Sequence, residues 1–346
     1  VYKRQVCDSV KEGQNHFNMW RPWNDPGFPW AGILFGAPIV GLWYWCTDQY
    51  IVQRTLAAKD LRAARRGALW GAFLKVWPVL IFLIPGLIGA ALHDKQLLQI
   101  PVDASGRLAG DQVFPTMVVS LLPAGLRGLV VAGLLAALMS SLSSLFNSTA
   151  TLFTVDIYEK LRPGASEQRL VTVGRLATAV VIVLGLLWIP IMPAISKGGL
   201  YQYLQNVQGY LAPPITALFL LGLFNQRINS RGAVWGLSAG FLLGMSKLVL
   251  QGIFGRGKVE DPAFLAAIAD FNFLYFSGVL FVISVIIIIG MSLKDPPPGP
   301  EQLRGLTMAT IDRESVRQSW NRNDVIATGI VLALVLSIYL YFSFWI

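Results

Sequence analysis

The chain is poor in the residues that build soluble and redox-active proteins. Charged residues make up only 14% of its 346 positions, where an average soluble domain carries roughly 25%, so a water-facing globular surface is excluded. Cys7 and Cys46 are too few for a disulfide framework or a cysteine-built metal site. His16 and His93 both lie outside the apolar runs, which argues against an intramembrane histidine metal or acyl-transfer centre. There is no phosphate-binding glycine loop, no Ser/His/Asp order, no clustered metal ligands and no short-period repeat.

Apolar length is what the chain has in abundance. Hydrophobic residues reach 54% and the mean hydropathy is +0.56. Runs of about 20 apolar residues, each long enough for a hydrocarbon core of roughly 30 Å, predict spans near Ile33–Val52, Ala68–Ala91, Leu129–Phe153, Leu176–Ile195, Tyr203–Phe224, Val234–Phe254, Leu274–Leu293 and Val325–Phe344. These eight define an all-α polytopic membrane protein, expected in a cell membrane and specifically a bacterial inner membrane. The net charge of +9 implies no nucleic-acid partner, because the basic residues sit in short loops between spans. If the first span runs inward, sixteen Lys and Arg fall on the cytoplasmic side and ten outside, the asymmetry of positive-inside topology.

The chain begins without Met, and a polar stretch rich in Trp and Asn precedes the first span. It reads as a fragment, with residues 1–30 an extracellular segment and residues 31–346 the transmembrane domain. Val1–Gln5 can be encoded by the end of a common transposon sequencing adapter, so these residues are expected to be foreign to the natural chain. KDPPPGPEQ opens a Pro-rich cytoplasmic linker over residues 294–324.

Polar groups inside the spans carry a functional presumption, since they are costly in hydrocarbon. In APIVGLWYWCTDQY, Pro38 and Gly41 are placed to open the backbone beside Tyr44 and Trp45, whose flat faces suit a sugar ring; the alternative is an interfacial aromatic belt with Asp48 at the cytoplasmic boundary. Lys75 stands about 10 Å into its span at 1.5 Å per residue, within reach of the cytoplasmic surface by snorkelling, and Lys247 is expected to snorkel outward. Ala137, Ser140, Ser141, Ser144 and Ser148 share one helix face. That face suits a hard cation with oxygen ligands, although on residue type alone a small-residue packing seam is the more frequent explanation. YQYLQNVQGYLAPP sets Gln202, Gln205, Asn206 and Gln208 before a helix expected to kink at Pro213 and Pro214; the amides suit sugar hydroxyls, or a solvated helix start.

WYWCTDQYIVQR, GAFLKVWPVLIFLIPG, LMSSLSSLFNSTATLFTVDIYEK and GYLAPPITALFLLGLF, in this order, closely resemble the sodium/solute symporter family, and within it the sodium/glucose cotransporter branch. The resemblance extends from about His16 to about Gly240. It implies a LeuT-type core of two inverted five-helix repeats with substrate and ion at the midplane. Residues 31–224 are then the second repeat and residues 225–346 three further helices, with the first repeat upstream as a missing partner of the same protein. The resemblance implies that Tyr44 and Trp45 gate and cover the sugar, that Lys75 and Gln205 bind it, and that the Ala137 carbonyl with the Ser140 and Ser141 hydroxyls binds Na⁺. On that basis Lys75 is expected at the sugar site and the serine face at the ion.

Two positions depart from the family pattern. Gly41 stands where sugar transporters of this family often carry a polar side chain, so that contact has no group here to make it. Ser143 stands where some members carry Thr at a second sodium site, and its hydroxyl survives. The implied activity is sodium-coupled sugar symport by alternating access, with Na⁺ as coupling ion, no cofactor, and lipid as surroundings. The rivals are a myo-inositol or other polyol symporter and a membrane solute sensor of the same fold. A membrane enzyme is disfavoured by the lack of histidines and paired carboxylates in the spans. The Ala137 carbonyl is normally bonded four residues on, so the ion site is expected to need local helix distortion or a shared lone pair.

Overall fold

The computed structural model describes residues 20–102, 109–192, 199–255 and 261–343. The first nineteen residues of the predicted extracellular segment, Val1–Gln5 included, lie outside the described residues. The elements are α1 (Trp30–Phe35), α2 (Ala37–Cys46), α3 (Gln49–Leu56), α4 (Leu61–Asp94), α5 (Gly110–Leu121) and α6 (Ala124–Thr151). α6 continues through a π-helical stretch, Leu152–Tyr158, to Leu161. There follow α7 (Glu167–Trp188), α8 (Leu200–Phe224), α9 (Ser230–Phe254), α10 (Ala263–Asp270), α11 (Phe273–Ser292), two short turns at Pro300–Leu303 and Arg313–Gln318, and α12 (Arg322–Ser343).

Among the described residues seven helices are long and apolar enough to cross a membrane, and Trp30–Cys46 with Gln49–Leu56, bent by 48°, brings the number to eight if the pair is one span. Each predicted span falls on one of them, and the chain is an all-α polytopic membrane protein. The fourth span lies closer to the N-terminus than hydropathy placed it. Glu167, Gln168, Arg169 and Arg175 occupy the first turns of α7, and a hydropathy window passes over a helix that starts among polar residues. The helices α5 and α10 were not anticipated, being too short to register as spans.

The chain divides into two units, residues Val1–Pro78 with Gln202–Ile346 and residues Val79–Tyr201, each described by itself. The first is organised by α9, which carries Gly232, Gly236, Gly240 and Gly244 at every fourth position, one helix face. A Cβ at Gly232 would lie 2.0 Å from Ser292 Oγ, and one at Gly236 2.2 Å from Ile288 Cγ1, both on α11. At Gly240 and Gly244 the neighbours belong to α8: Pro214 Cγ at 2.2 Å and the Tyr210 carbonyl oxygen at 2.1 Å. Pro214 has no N–H for that carbonyl, so Gly244 admits a backbone group that the helix itself leaves unbonded. α8 runs as one helix through Pro213 and Pro214.

The two ends of this unit are tied separately. At one end Arg66 Nε donates to Asp324 Oδ1 at 3.2 Å, Arg65 stacks 4.2 Å above the Trp320 ring, and Arg231 pairs with Asp295 at 3.0 Å. These loops were all assigned to the cytoplasm by charge. At the other end, Asn272 Nδ2 donates to the carbonyls of Pro26 and Gly27, both at 3.0 Å, and the Tyr275 hydroxyl to the Trp23 carbonyl at 2.6 Å. In the second unit α7 meets the C-terminal part of α6, where a Cβ at Gly174 would lie 3.2 Å from Thr154 Oγ1, and Gly89 of α4 faces Val113 and Met117 of α5.

Candidate functional site

The first span is interrupted twice, at Gly36 just ahead of Pro38 and, with a bend of 48°, after the aromatic residues. Pro38 sits in the first turn of α2, where a missing N–H leaves nothing unbonded, and Gly41 is helical. The helix ends at Thr47, whose N–H and hydroxyl both donate to the Trp43 carbonyl, at 3.0 and 2.8 Å, joined by the Asp48 N–H at 3.1 Å. Asp48 then caps α3 by accepting from the Tyr50 N–H at 3.1 Å, which gives it a structural task. Trp43, Tyr44 and Trp45 therefore occupy the last turn before a bend.

Tyr44 and Trp45 meet edge to face, with centroids 5.4 Å apart at 90°. Lys75 lies fourteen residues into α4, about 21 Å from its start at 1.5 Å per residue. Its Nζ stands 5.5 Å from the Tyr44 centroid and 5.8 Å from that of Trp45, within cation–π range of both rings. The structure thus brings three of the four solute residues together. The fourth, Gln205, is half-buried on α8, beside Asn206, whose buried Oδ1 has no hydrogen-bond partner. α8 is bound to α2 by the Thr216 hydroxyl, which donates to the Ile39 carbonyl at 2.9 Å and to that of Ala212 at 3.1 Å. Thr216 is fully buried. The sequence shows it only as one polar residue inside an apolar stretch.

Ala137, Ser140, Ser141 and Ser143 all lie exposed on α6. Ser144 Oγ donates back to the Ser140 carbonyl at 3.1 Å and Ser148 Oγ to the Ser144 carbonyl at 2.9 Å. The seam within this unit is farther along, at buried Ser148 and Thr154. Distortion is not found where the ion was expected to require it: α6 is regular α-helix from Ala137 to Ser141, and the π-helical turns begin only at Leu152. A carbonyl accepts through two lone pairs, so a regular helix still leaves Ala137 one for a cation. Among the described residues no group of three or more His, Cys, Asp or Glu is placed to hold a metal.

Lys247 departs from the outward snorkelling expected of it. It is 1% exposed, and its Nζ donates to the carbonyls of Ile268 and, at 2.7 Å, Ala269, at the end of α10. Sequence reasoning missed this because α10 was not seen, and without it the side chain has only the surface to reach.

The chain is a polytopic helical membrane protein in which two aromatic rings and a cation meet within the apolar spans. The model of the sodium:solute symporter family matches residues 3–240, and the chain belongs to that family. It is 41% identical over 303 residues to the mouse protein named sodium/glucose cotransporter 4, covering 85% of this chain and 44% of that protein. Against human sodium/myo-inositol cotransporter 2 it is 40% identical over 304 residues, 86% of this chain and 45% of the relative. Against sheep sodium/glucose cotransporter 1 it is 41% identical over 288 residues, 81% and 43%. The chain thus spans less than half the length of these curated relatives.

Proposed function

We propose that the complete protein is a sodium-coupled symporter of a sugar, a hexose in the first instance, working by alternating access with Na⁺ as coupling ion. The observation that carries the reading is the Lys75 ammonium over the Tyr44 and Trp45 rings, in a chain whose relatives are named for sodium and glucose. In this reading the rings cover the apolar face of the sugar, and Lys75 and Gln205 bond its hydroxyls. Ser140 and Ser141 supply hydroxyl oxygens, and Ala137 its carbonyl, to one Na⁺; Ser143 belongs to a second sodium site. Residues 31–224 act as the second of two LeuT-type repeats and residues 225–346 as added helices. The other ligands of both sites come from sequence beyond these 346 residues, as the share of the relatives covered supports. Each ligand stabilises the state the other needs, so the coupling is reciprocal.

A second reading is favoured by the relative named for myo-inositol: the same residues serve a cyclic polyol. Proteoliposomes holding the complete protein decide between them. An imposed sodium gradient is expected to accumulate labelled hexose more than myo-inositol; the reverse order selects the polyol. Binding of either without accumulation selects a sensor, and neither binding nor uptake of any sugar or polyol rejects the reading.

A further inference from the structure

Lys247 is a cation inside an apolar helix, among the costliest groups a span can carry. Its ammonium is satisfied by the two carbonyls at the C-terminal end of α10, where the helix dipole favours positive charge, and lies 5.8 and 5.7 Å from the ring centroids of Tyr210 on α8 and Phe276 on α11. The residues that follow, 271–275, reach two of the three helical elements assigned to the solute, the first span and α8. Toward the first span, Asn272 holds Pro26 and Gly27, Phe273 meets Phe28 edge to face at 5.9 Å, and the Leu274 carbonyl lies against Gly36. Toward α8, Phe273 packs on Gly209, one turn beyond Gln205. The Tyr210 hydroxyl donates to Gln251 at 2.9 Å, fixing the ring beneath the ammonium.

We propose that Lys247 is a positioning residue for solute binding: by clamping the end of α10 it fixes the turn at 268–275, which packs on two of the three helical elements that carry the solute contacts, the first span and α8. The inference rests on the transport reading above. Replacing a buried charge by an apolar residue of similar volume is often tolerated by a fold, so the charge is retained for where it holds the turn.

The test is made in the complete transporter with Lys247→Met, which removes the charge, and Lys247→Arg, which keeps it. Three quantities are read: the half-saturating solute and sodium concentrations for uptake, and the labelling rate of Ala269→Cys by an impermeant thiol reagent in a background where Cys7, Cys46 and every other cysteine of the complete protein are Ser. Ala269 is 1% exposed and is expected to react slowly. Lys247→Met is expected to speed labelling and to raise half-saturating solute about tenfold, the scale of one lost buried hydrogen bond, while sodium shifts little. Lys247→Arg is expected to stay near the parent. Unchanged solute affinity in Lys247→Met overturns the proposal, as does an equal loss of solute affinity, sodium affinity and turnover. Should Lys247→Met fail to reach the membrane, Asn272→Ala loosens the same turn and is expected to give the same solute-selective loss; its absence overturns the proposal. A parent without uptake of any sugar or polyol rejects the transport reading instead, and labelling at 269 still decides whether Lys247 holds the turn.

Discussion

The α8, α9 and α11 helices and the α6 and α7 helices are all apolar enough to span a bilayer, yet they treat their small and polar residues in opposite ways. In the apolar stretches of the first three, 39%, 28% and 33% of residues are buried within the chain, against 0% for α6 and 6% for α7. In α9 the small residues admit neighbours: four glycines let α8 and α11 approach to backbone distance. Ser277 and Ser284 of α11 are 0% exposed. In α6, Ser140, Ser141 and Ser143 are exposed. Hydroxyls buried in a seam are explained by packing, whereas a row of them left open on an apolar helix is not. Small polar residues are therefore placed differently in the two regions, buried between helices in one and on the surface of α6 in the other.

The contrast breaks first at glycine. Gly244→Val places a branched side chain against the Tyr210 backbone and is expected to abolish recovery of folded protein, since overpacking that side chains cannot relieve costs about 3 kcal/mol or more. Gly133→Val on α6, where a Cβ meets nothing within 4 Å, is expected to shift the thermal midpoint of the purified protein by far less. Equal intolerance at both positions would erase the distinction.

The next largest effect concerns the solute. Lys75→Ala and Gln205→Ala in the complete transporter are each expected to weaken apparent solute affinity by about five- to 150-fold, the range for leaving a buried partner unpaired at roughly 1 to 3 kcal/mol. Sodium affinity is expected to change much less, and Tyr44→Phe to be milder if the ring covers the sugar without bonding it. Uptake titrations against hexoses and polyols read this directly; a Gln205→Ala variant with unchanged affinity for all of them removes Gln205 from the site.

Ser141→Ala sharpens the other side of the comparison, with an expected rise of several-fold in the sodium concentration for half-maximal uptake. Two hydroxyls and a carbonyl carry no net charge, so millimolar affinity for Na⁺ and little for Ca²⁺ are expected, calcium sites being rich in carboxylates. An unchanged sodium dependence returns the α6 row to packing. The smallest effect is expected at Gly41, where a Cβ meets nothing within 4 Å. Gly41→Ser fits and is expected to tighten hexose affinity a few-fold, read in the same assay.

The spans were legible because apolar length sets a span. Tyr44, Trp45 and Lys75 were legible as candidates through the family motifs, and the structure supplies what those motifs lack, the approach of Lys75 to both rings. The position of the bend was not legible. Pro38 signals a break by residue type and follows the interruption at Gly36, while Thr47 and Asp48 end the helix at the larger bend through bonds that hydropathy does not weigh. Lys247 was misread for a related reason, since its partners are backbone carbonyls of an eight-residue helix that leaves no mark on a hydropathy profile.

In the proposed function these helices carry one half of a sodium site and one half of a solute site. Its most direct test reconstitutes the 346-residue chain and the complete protein separately in liposomes under the same sodium gradient and follows labelled hexose. The account predicts sodium-dependent accumulation by the complete protein and none by the 346-residue chain. Sodium-dependent uptake by the 346-residue chain alone would contradict it.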